Sequence, residues 1–325
     1  MKRRDFITLV SGAVLTPLAA RAQQAMPVVG YLSARSAETD VPMIAALRHG
    51  LAGHGYVDGQ NFTIEYRFGQ GQHDRLRALA DELVRRQAAV IVTGGGEIAA
   101  LAAQAATAQV PIVFNVGGDP VRVGLVASVR RPGGNLTGVS SFLSELPAKQ
   151  LGLLRELVPG ATTIAILVNP NEPTTDYILR QVEEAARRVG QQIVVLHASV
   201  ESEINAAFAN LTQQRAGALL VGAGPFFVTR KDQLIAQAAR HAVPTMYFRR
   251  DLPEAGGLIS YGSTIAEGYQ QMGGYAGRIL KGEKPADLPV LQPTKFELVI
   301  NMKTARALGL SVPPSMQLLA DEVIE

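Results

Sequence analysis

The chain has 325 residues, of which 47% are hydrophobic and 18% charged, with 31 Lys+Arg against 28 Asp+Glu and neither Cys nor Trp. That composition excludes a disordered or collagen-like chain, a disulfide scaffold, a cysteine-ligated metal or iron–sulfur site, and a catalytic cysteine. The length suits two domains of about 150 residues, and the formal charge of +3 raises the question of anionic partners.

The first 25 residues answer that question. Lys2, Arg3 and Arg4 precede an apolar run over 6–20 that closes in Ala20-Arg21-Ala22, a small-x-small cleavage site. This is the pattern of an export signal cleaved after Ala22, and the run is too short and too rich in Gly, Ser and Thr to span a membrane. Arg3-Arg4-Asp5-Phe6-Ile7 also resembles a twin-arginine signal; an ordinary positive leader is the other reading. Removing a leader that holds Lys2, Arg3, Arg4, Arg21 and Asp5 leaves 27 residues of each sign, so the mature chain is neutral. With no cysteine at the cleavage point to carry a lipid, the expectation is a soluble periplasmic protein without a membrane anchor.

Beyond the leader, short apolar runs alternate with amphipathic stretches of 12 to 18 residues, the signature of βαβ units on a parallel sheet. The expected order is a strand over 28–32, a helix over 41–53, a strand over 62–68 and a helix over 74–86. A strand over 89–93, an Ala-rich helix over 98–108 and strands over 111–115 and 135–139 follow. A second round starts with a helix over 147–157, a strand over 164–168 stopped by Asn169-Pro170, and a helix over 175–189. It continues with a strand over 192–197, a helix over 202–215, a strand over 218–221, a helix over 229–241 and a strand over 244–248. The two rounds echo each other: AAVIVTGGG over 88–96 matches AGALLVGAG over 216–224, and Val110-Pro111 matches Val243-Pro244. Chance likeness between βαβ units would give the same echo; the spacing favours two similar lobes of about 130 residues. The tail adds strands over 257–261 and 291–301, a helix over 265–280 and a short helix over 304–308, too little for a third domain. These elements complete the sheets and cross between lobes. The fold class is therefore α/β, with two similar Rossmann-like parallel-sheet lobes joined by a hinge.

Ligands of open parallel sheets sit beyond the carboxyl ends of the strands. That rule selects the loops 33–36, 94–97, 115–119, 169–172, 197–199, 222–226 and 247–249, with Tyr261 at the presumed crossing. Two facing lobes would set these loops on opposite walls of one cleft. Ser33, Ser36 and the amides at Gly94, Gly95 and Gly96 suit a carboxylate. Asp119 or Glu172 suits an amine, and Phe226, Tyr247 and Tyr261 suit an apolar or aromatic side group. The plainer alternative is that the glycines are turn residues and Asn169-Pro170 a strand stop. No dinucleotide fingerprint, P-loop or Gly-x-Ser-x-Gly elbow is present, so no cofactor is implied. His49, His54, His73, His197 and His241 show no metal-ligand spacing, and the paired arginines are scattered along a neutral chain that offers nothing to nucleic acid.

Several stretches together resemble one family. They are the leader, Gly50-Leu51 through Gly59-Gln60-Asn61, Pro111-Ile112-Val113-Phe114 with Gly118-Asp119-Pro120-Val121, and Arg131-Pro132-Gly133-Gly134-Asn135-Leu136-Thr137-Gly138-Val139. Leu167 to Pro170, Ile259-Ser260-Tyr261-Gly262 and the end from Gly282 to Glu325 belong with them. The sequence is similar to ABC-transporter substrate-binding proteins of the tryptophan/tyrosine-permease-associated type, which have a type 1 periplasmic-binding fold. The resemblance implies three crossings between lobes, with 27–137 plus 263–288 in the first and 138–262 plus 289–325 in the second. It implies Ser33, Ser36, Gly94, Gly95, Asn115, Asp119, Asn169, Asn171 and Tyr261 at the ligand, no catalysis, and a membrane ABC permease with its ATPase as partner. A small carboxylate-bearing solute, such as an aromatic amino acid or aromatic acid, is the expected cargo. A sensing module for a membrane receptor and an α/β enzyme acting on a small molecule are the alternative classes.

Overall fold

The computed structural model describes residues 26–292 and 295–325; the expected leader, with its cleavage site and arginine pair, lies outside the described residues. The first sheet is built from β1 (Val28–Ser33), β2 (Thr63–Phe68), β3 (Val90–Gly94), β4 (Ile112–Val116) and β5 (Leu136–Ser140), in the order β2-β1-β3-β4-β5 and parallel throughout. The second has β6 (Thr163–Val168), β7 (Gln192–His197), β8 (Ala218–Val221), β9 (Thr245–Tyr247), β10 (Ile259–Ser263), β11 (Phe296–Asn301) and β12 (Glu322–Ile324), in the order β12-β11-β10-β9-β8-β6-β7. Only β10 and β11 pair antiparallel, because the chain leaves this sheet after β10 and re-enters it from the other lobe.

Helices α1 (Ala37–Ala52), α2 (Leu76–Arg85) and α3 (Glu97–Ala106) belong to the first round; α4 (Pro147–Leu157), α5 (Thr175–Arg188), α6 (Glu201–Gln213), α7 (Pro225–Thr229), α8 (Lys231–Arg240) and α9 (Asp251–Glu254) belong to the second. Then α10 (Ile265–Leu280) returns to the first lobe, packing on α1 and against β3, β4 and β5, while α11 (Met302–Ala307) and α12 (Pro314–Leu319) close the second. Two-residue alternation along the strands explains why both faces of each sheet are covered. Val29 and Tyr31 enter the core under α1 and α10, whereas Leu32 enters the opposite core with Leu76, Leu83 and Ala99. In the second sheet Ala165 and Leu167 face one core, and Ile164, Ile166 and Val168 the other. Each of the Val, Leu and Ile side chains contributes about 1.5–3 kcal/mol on burial.

Three expectations shift. The run over 291–301 is not one strand: Leu291 bridges Val139 of the first sheet, and β11 starts only at Phe296, beyond the crossing. For the same reason the expected lobe boundaries at 137/138 and 288/289 fall inside the edge of the first sheet, since β5 pairs with β4 as far as Ser140. The helix over 229–241 forms as α8, while α7 just before it, α9, α12 and β12 are additional short elements.

Candidate binding cleft

The carboxyl ends of both sheets face a common cleft, and almost every wall residue lies just past a strand. Arg35 follows β1; Gly95, Gly96 and Glu97 follow β3; Gly117 follows β4; Ser141, Leu143 and Ser144 follow β5. From the second lobe come Glu172 and Thr174 after β6, Ala223, Gly224 and Pro225 after β8, and Phe248 and Arg249 after β9. Together with Asn115, Val228 and Ile265 they enclose a cavity of about 50 Å³. The lobes meet around it. A methyl group on Gly118 would stand 3.0 Å from Thr174 Cγ2 and 3.1 Å from both Glu97 Oε1 and Ser144 Oγ, so any larger residue here would press on side chains of both lobes.

The cavity holds an unusual set of charges. Arg35, 5% exposed, donates from Nε to Asp40 Oδ1 at 2.5 Å and from Nη2 to Tyr269 Oη at 2.6 Å. Asp40 also accepts from Tyr31 Oη at 2.8 Å. These bonds lock the guanidinium and leave Nη1 without a protein partner among the described residues. Arg249 is held in the same way, with Nε and Nη2 donating to Asp251 at 2.8 and 3.2 Å. Two carboxyl groups face this cavity from opposite lobes. Glu97, the first residue of α3, accepts from the Gly118 amide at 2.6 Å; burial nonetheless raises its pKa, against the backbone amides of Glu97, Gly118 and Gly117. Glu172 is 6% exposed and its Oε1 has no hydrogen-bond partner. Burial, and then the nearby charge of Glu97, push its pKa up to about 8. His73 Nε2 lies 3.7 Å from that oxygen. Burial pushes the imidazole down, so near neutral pH both groups are uncharged and the contact is no ion pair. Asn115 Nδ2 and Ser144 Oγ are likewise buried without partners.

Of the residues expected at the ligand, the structure brings Gly95, Gly96, Asn115 and Glu172 to the cavity wall. The others sit nearby in other roles. Ser33 Oγ accepts from the Arg35 amide at 3.1 Å, and Ser36 caps α1. Gly94 lies against the Tyr31 and Tyr269 hydroxyls, where a Cβ would come within 2.8 and 2.7 Å. Asp119 and Asn169 fold their loops, accepting from the amides of Val121 at 2.8 Å and Asn171 at 3.0 Å. Asn169 and Asn171 line a separate rim pocket with His73 and Asp74. Phe226 and Tyr247 are buried in the second lobe's core, and Tyr261 packs against Phe296 with ring centroids 6.1 Å apart and the rings tilted by 31°. Apolar burial has taken these rings away from the cleft. Arg35, Glu97, Ser144, Thr174, Phe248 and Arg249 do line it; their position just past strand ends is the signal that points to them.

No helix among the described residues is long and apolar enough to cross a membrane, and no group of three or more His, Asp or Glu among them is placed to hold a metal ion. The sequence matches the ABC transporter substrate binding protein family over residues 39–324. The chain belongs to that family. Its members are non-catalytic: they capture a small solute between two lobes outside the cytoplasm and serve the permease and ATPase of an ABC importer. The chain is 27% identical, over 256 residues, to a tyrosine-binding protein of Clostridioides difficile, covering 79% of this chain and 73% of the relative. An ABC domain from Streptococcus pneumoniae solved in complex with L-Trp is 25% identical with a TM-score of 0.83, and a conserved domain protein from Vibrio cholerae is 24% identical with a TM-score of 0.84. Each alignment covers 92% of this chain and 99% of the other. The type 1 periplasmic-binding architecture read from the sequence is the architecture observed.

Proposed function

We propose that this solute-binding protein carries an α-amino acid, whose ammonium group lies between Glu97 and Glu172. The observation that carries the reading is Glu172: a carboxyl group buried in the cleft with no partner, facing a second carboxyl group from the opposite lobe. Buried polar groups are paired in almost all folded proteins, and an ammonium supplies the missing donors to both acids. The ligand carboxylate then takes free donors that also line the cavity, Arg35 Nη1, Asn115 Nδ2 and Ser144 Oγ. Binding in this way uses both walls at once, so it favours the closed arrangement over the open one.

The cavity of about 50 Å³ is too small for an aromatic ring, since a space of roughly 150 Å³ is what holds a benzene molecule. An aromatic amino acid is the second reading. It is favoured by the L-Trp complex and the tyrosine-binding relative, and by Phe248 on the wall, and it requires the side group to lie outside this cavity. Calorimetric titration with the common amino acids tests both readings. At least one should bind, and Glu172→Ala should weaken it more than tenfold. Binding that prefers the des-amino acid, or ignores the loss of Glu172, would refute the placement of the ammonium.

A further inference from the structure

A second, larger chamber of about 290 Å³ adjoins the cavity and shares Val228, Arg249 and Ile265 with it as a common wall. Its far side is formed by Glu38, Thr39, Pro42 and Met43 of α1, and its floor by Ser263 and Thr264, where the chain crosses between lobes. Most of the charges around it are already committed. Arg249 is bound to Asp251, Arg250 engages Glu254, Glu297 and Glu322, and Glu38 turns to its own amide and the Ser36 hydroxyl. Three groups remain. Lys231, half-buried, makes no ion pair among the described residues; Arg249 keeps Nη1; and Ser263, 7% exposed, has a hydroxyl with no partner. Two are cationic donors and the third a hydroxyl that can donate as well as accept, set among the apolar surfaces of Pro42, Met43, Val228 and Ile265.

Building on the amino-acid reading above, we infer that this chamber takes the side chain of the ligand, and that the side chain is an aliphatic stem ending in an anionic group received by Lys231, Arg249 and Ser263. The cargo is therefore an acidic amino acid with a long side chain, and Arg249 is the residue that faces both of its ends. The spare cationic donors select against a cationic tail, and against an aromatic ring, which would leave them unpaired in a partly desolvated chamber.

Calorimetric titration of the purified protein with norleucine, phenylalanine, lysine, glutamate, 2-aminoadipate and 2-aminosuberate tests the assignment. One of the three acidic ligands should bind at least tenfold tighter than norleucine, phenylalanine and lysine, the best chain length reporting the distance between the chambers. Lys231→Gln and Ser263→Ala should each cut the ratio of acidic to norleucine affinity, by about tenfold for the lysine, in variants whose thermal unfolding midpoints match the parent. If norleucine or phenylalanine binds as well as every acidic ligand, or Lys231→Gln keeps the ratio, the second-chamber assignment is overturned while the amino-acid reading stands. If none of the six binds, the second-chamber assignment is overturned, and the amino-acid reading fails only if the remaining common amino acids are silent as well.

Discussion

Glu172 is a carboxyl group placed where only its neutral form is comfortable. Its pKa of about 8 in the folded protein lies above the ordinary value of 4.5, so the native state holds a proton that the unfolded chain releases in between. Unfolding free energy contributed by this group therefore falls as pH rises from about 4.5 to about 8. His73 acts with the opposite sign. Burial lowers its pKa, so its contribution grows as pH rises through the imidazole range. The comparison that isolates Glu172 is thus between parent and variant. In urea unfolding at pH 5, 6, 7 and 8, Glu172→Gln should gain stability relative to the parent as pH rises; a constant difference across the series would show that the carboxyl group titrates normally. The same proton couples to cargo. An ammonium between Glu97 and Glu172 stabilises the charged carboxylate, so capture near neutral pH expels a proton.

At the scale of elements, helices α1 and α10 meet through glycine. A Cβ on Gly50 would come 1.9 Å from the Gln270 carbonyl oxygen, and one on Gly273 would come 2.1 Å from that of Leu47. Backbone cannot yield as a side chain does, so Gly50→Ala or Gly273→Ala must separate the helices. The expected loss is about 1–3 kcal/mol or more, read as a lower urea midpoint, whereas Gly152→Ala, with open space around it, should be neutral or stabilising. The elements themselves were largely legible in the sequence. Apolar runs such as 164–168 and 218–221 have few other places to go than the middle of a covered sheet. Where the rules stopped working was at the strand ends. The loops expected at the cleft are the loops that form it, and Glu172 is among the side chains expected there, but other side chains that reach the cavity stand one to three residues farther on: Arg35 beyond Ser33, Glu97 beyond Gly94, Phe248 and Arg249 beyond Tyr247. Their directions depend on turn geometry, as at Gly95 and Gly96, where φ is +84°. They depend also on distant partners such as Tyr269, which fixes Arg35 across 234 positions of chain. Neither is written in local pattern. The tyrosines and phenylalanines expected at the ligand were equally good core residues, and the core took them.

For the whole molecule, closure is secured away from the cargo as well as around it. Arg122, in the loop after β4, lays its guanidinium 3.6 Å from the ring centroid of Tyr177 on α5, and points Nη1 at Glu145 Oε1 at 3.4 Å, while the Tyr177 hydroxyl bonds the other oxygen of that carboxylate. This cluster ties the first lobe to the second beside a crossing. Arg122→Ala should shift the ligand-free protein toward the open form, seen as a larger radius of gyration in small-angle scattering, and should speed cargo release; an unchanged profile and release rate would show that the cluster follows closure without contributing to it. The return of α10 to the first lobe has a consequence of another kind, in time. Val29, Tyr31, Val90, Val92, Val113 and Val139 share a core with Tyr269, Met272, Tyr275 and Ala276 of α10, yet the chain makes nearly the entire second lobe between β5 and that helix. With synthesis proceeding at roughly 5–20 residues per second, that face waits on the order of ten seconds for its cover. The first lobe is thus begun early and completed late, which gives a nascent chain of this topology a long interval in which it is still incomplete enough to be held, guarded or threaded by other machinery.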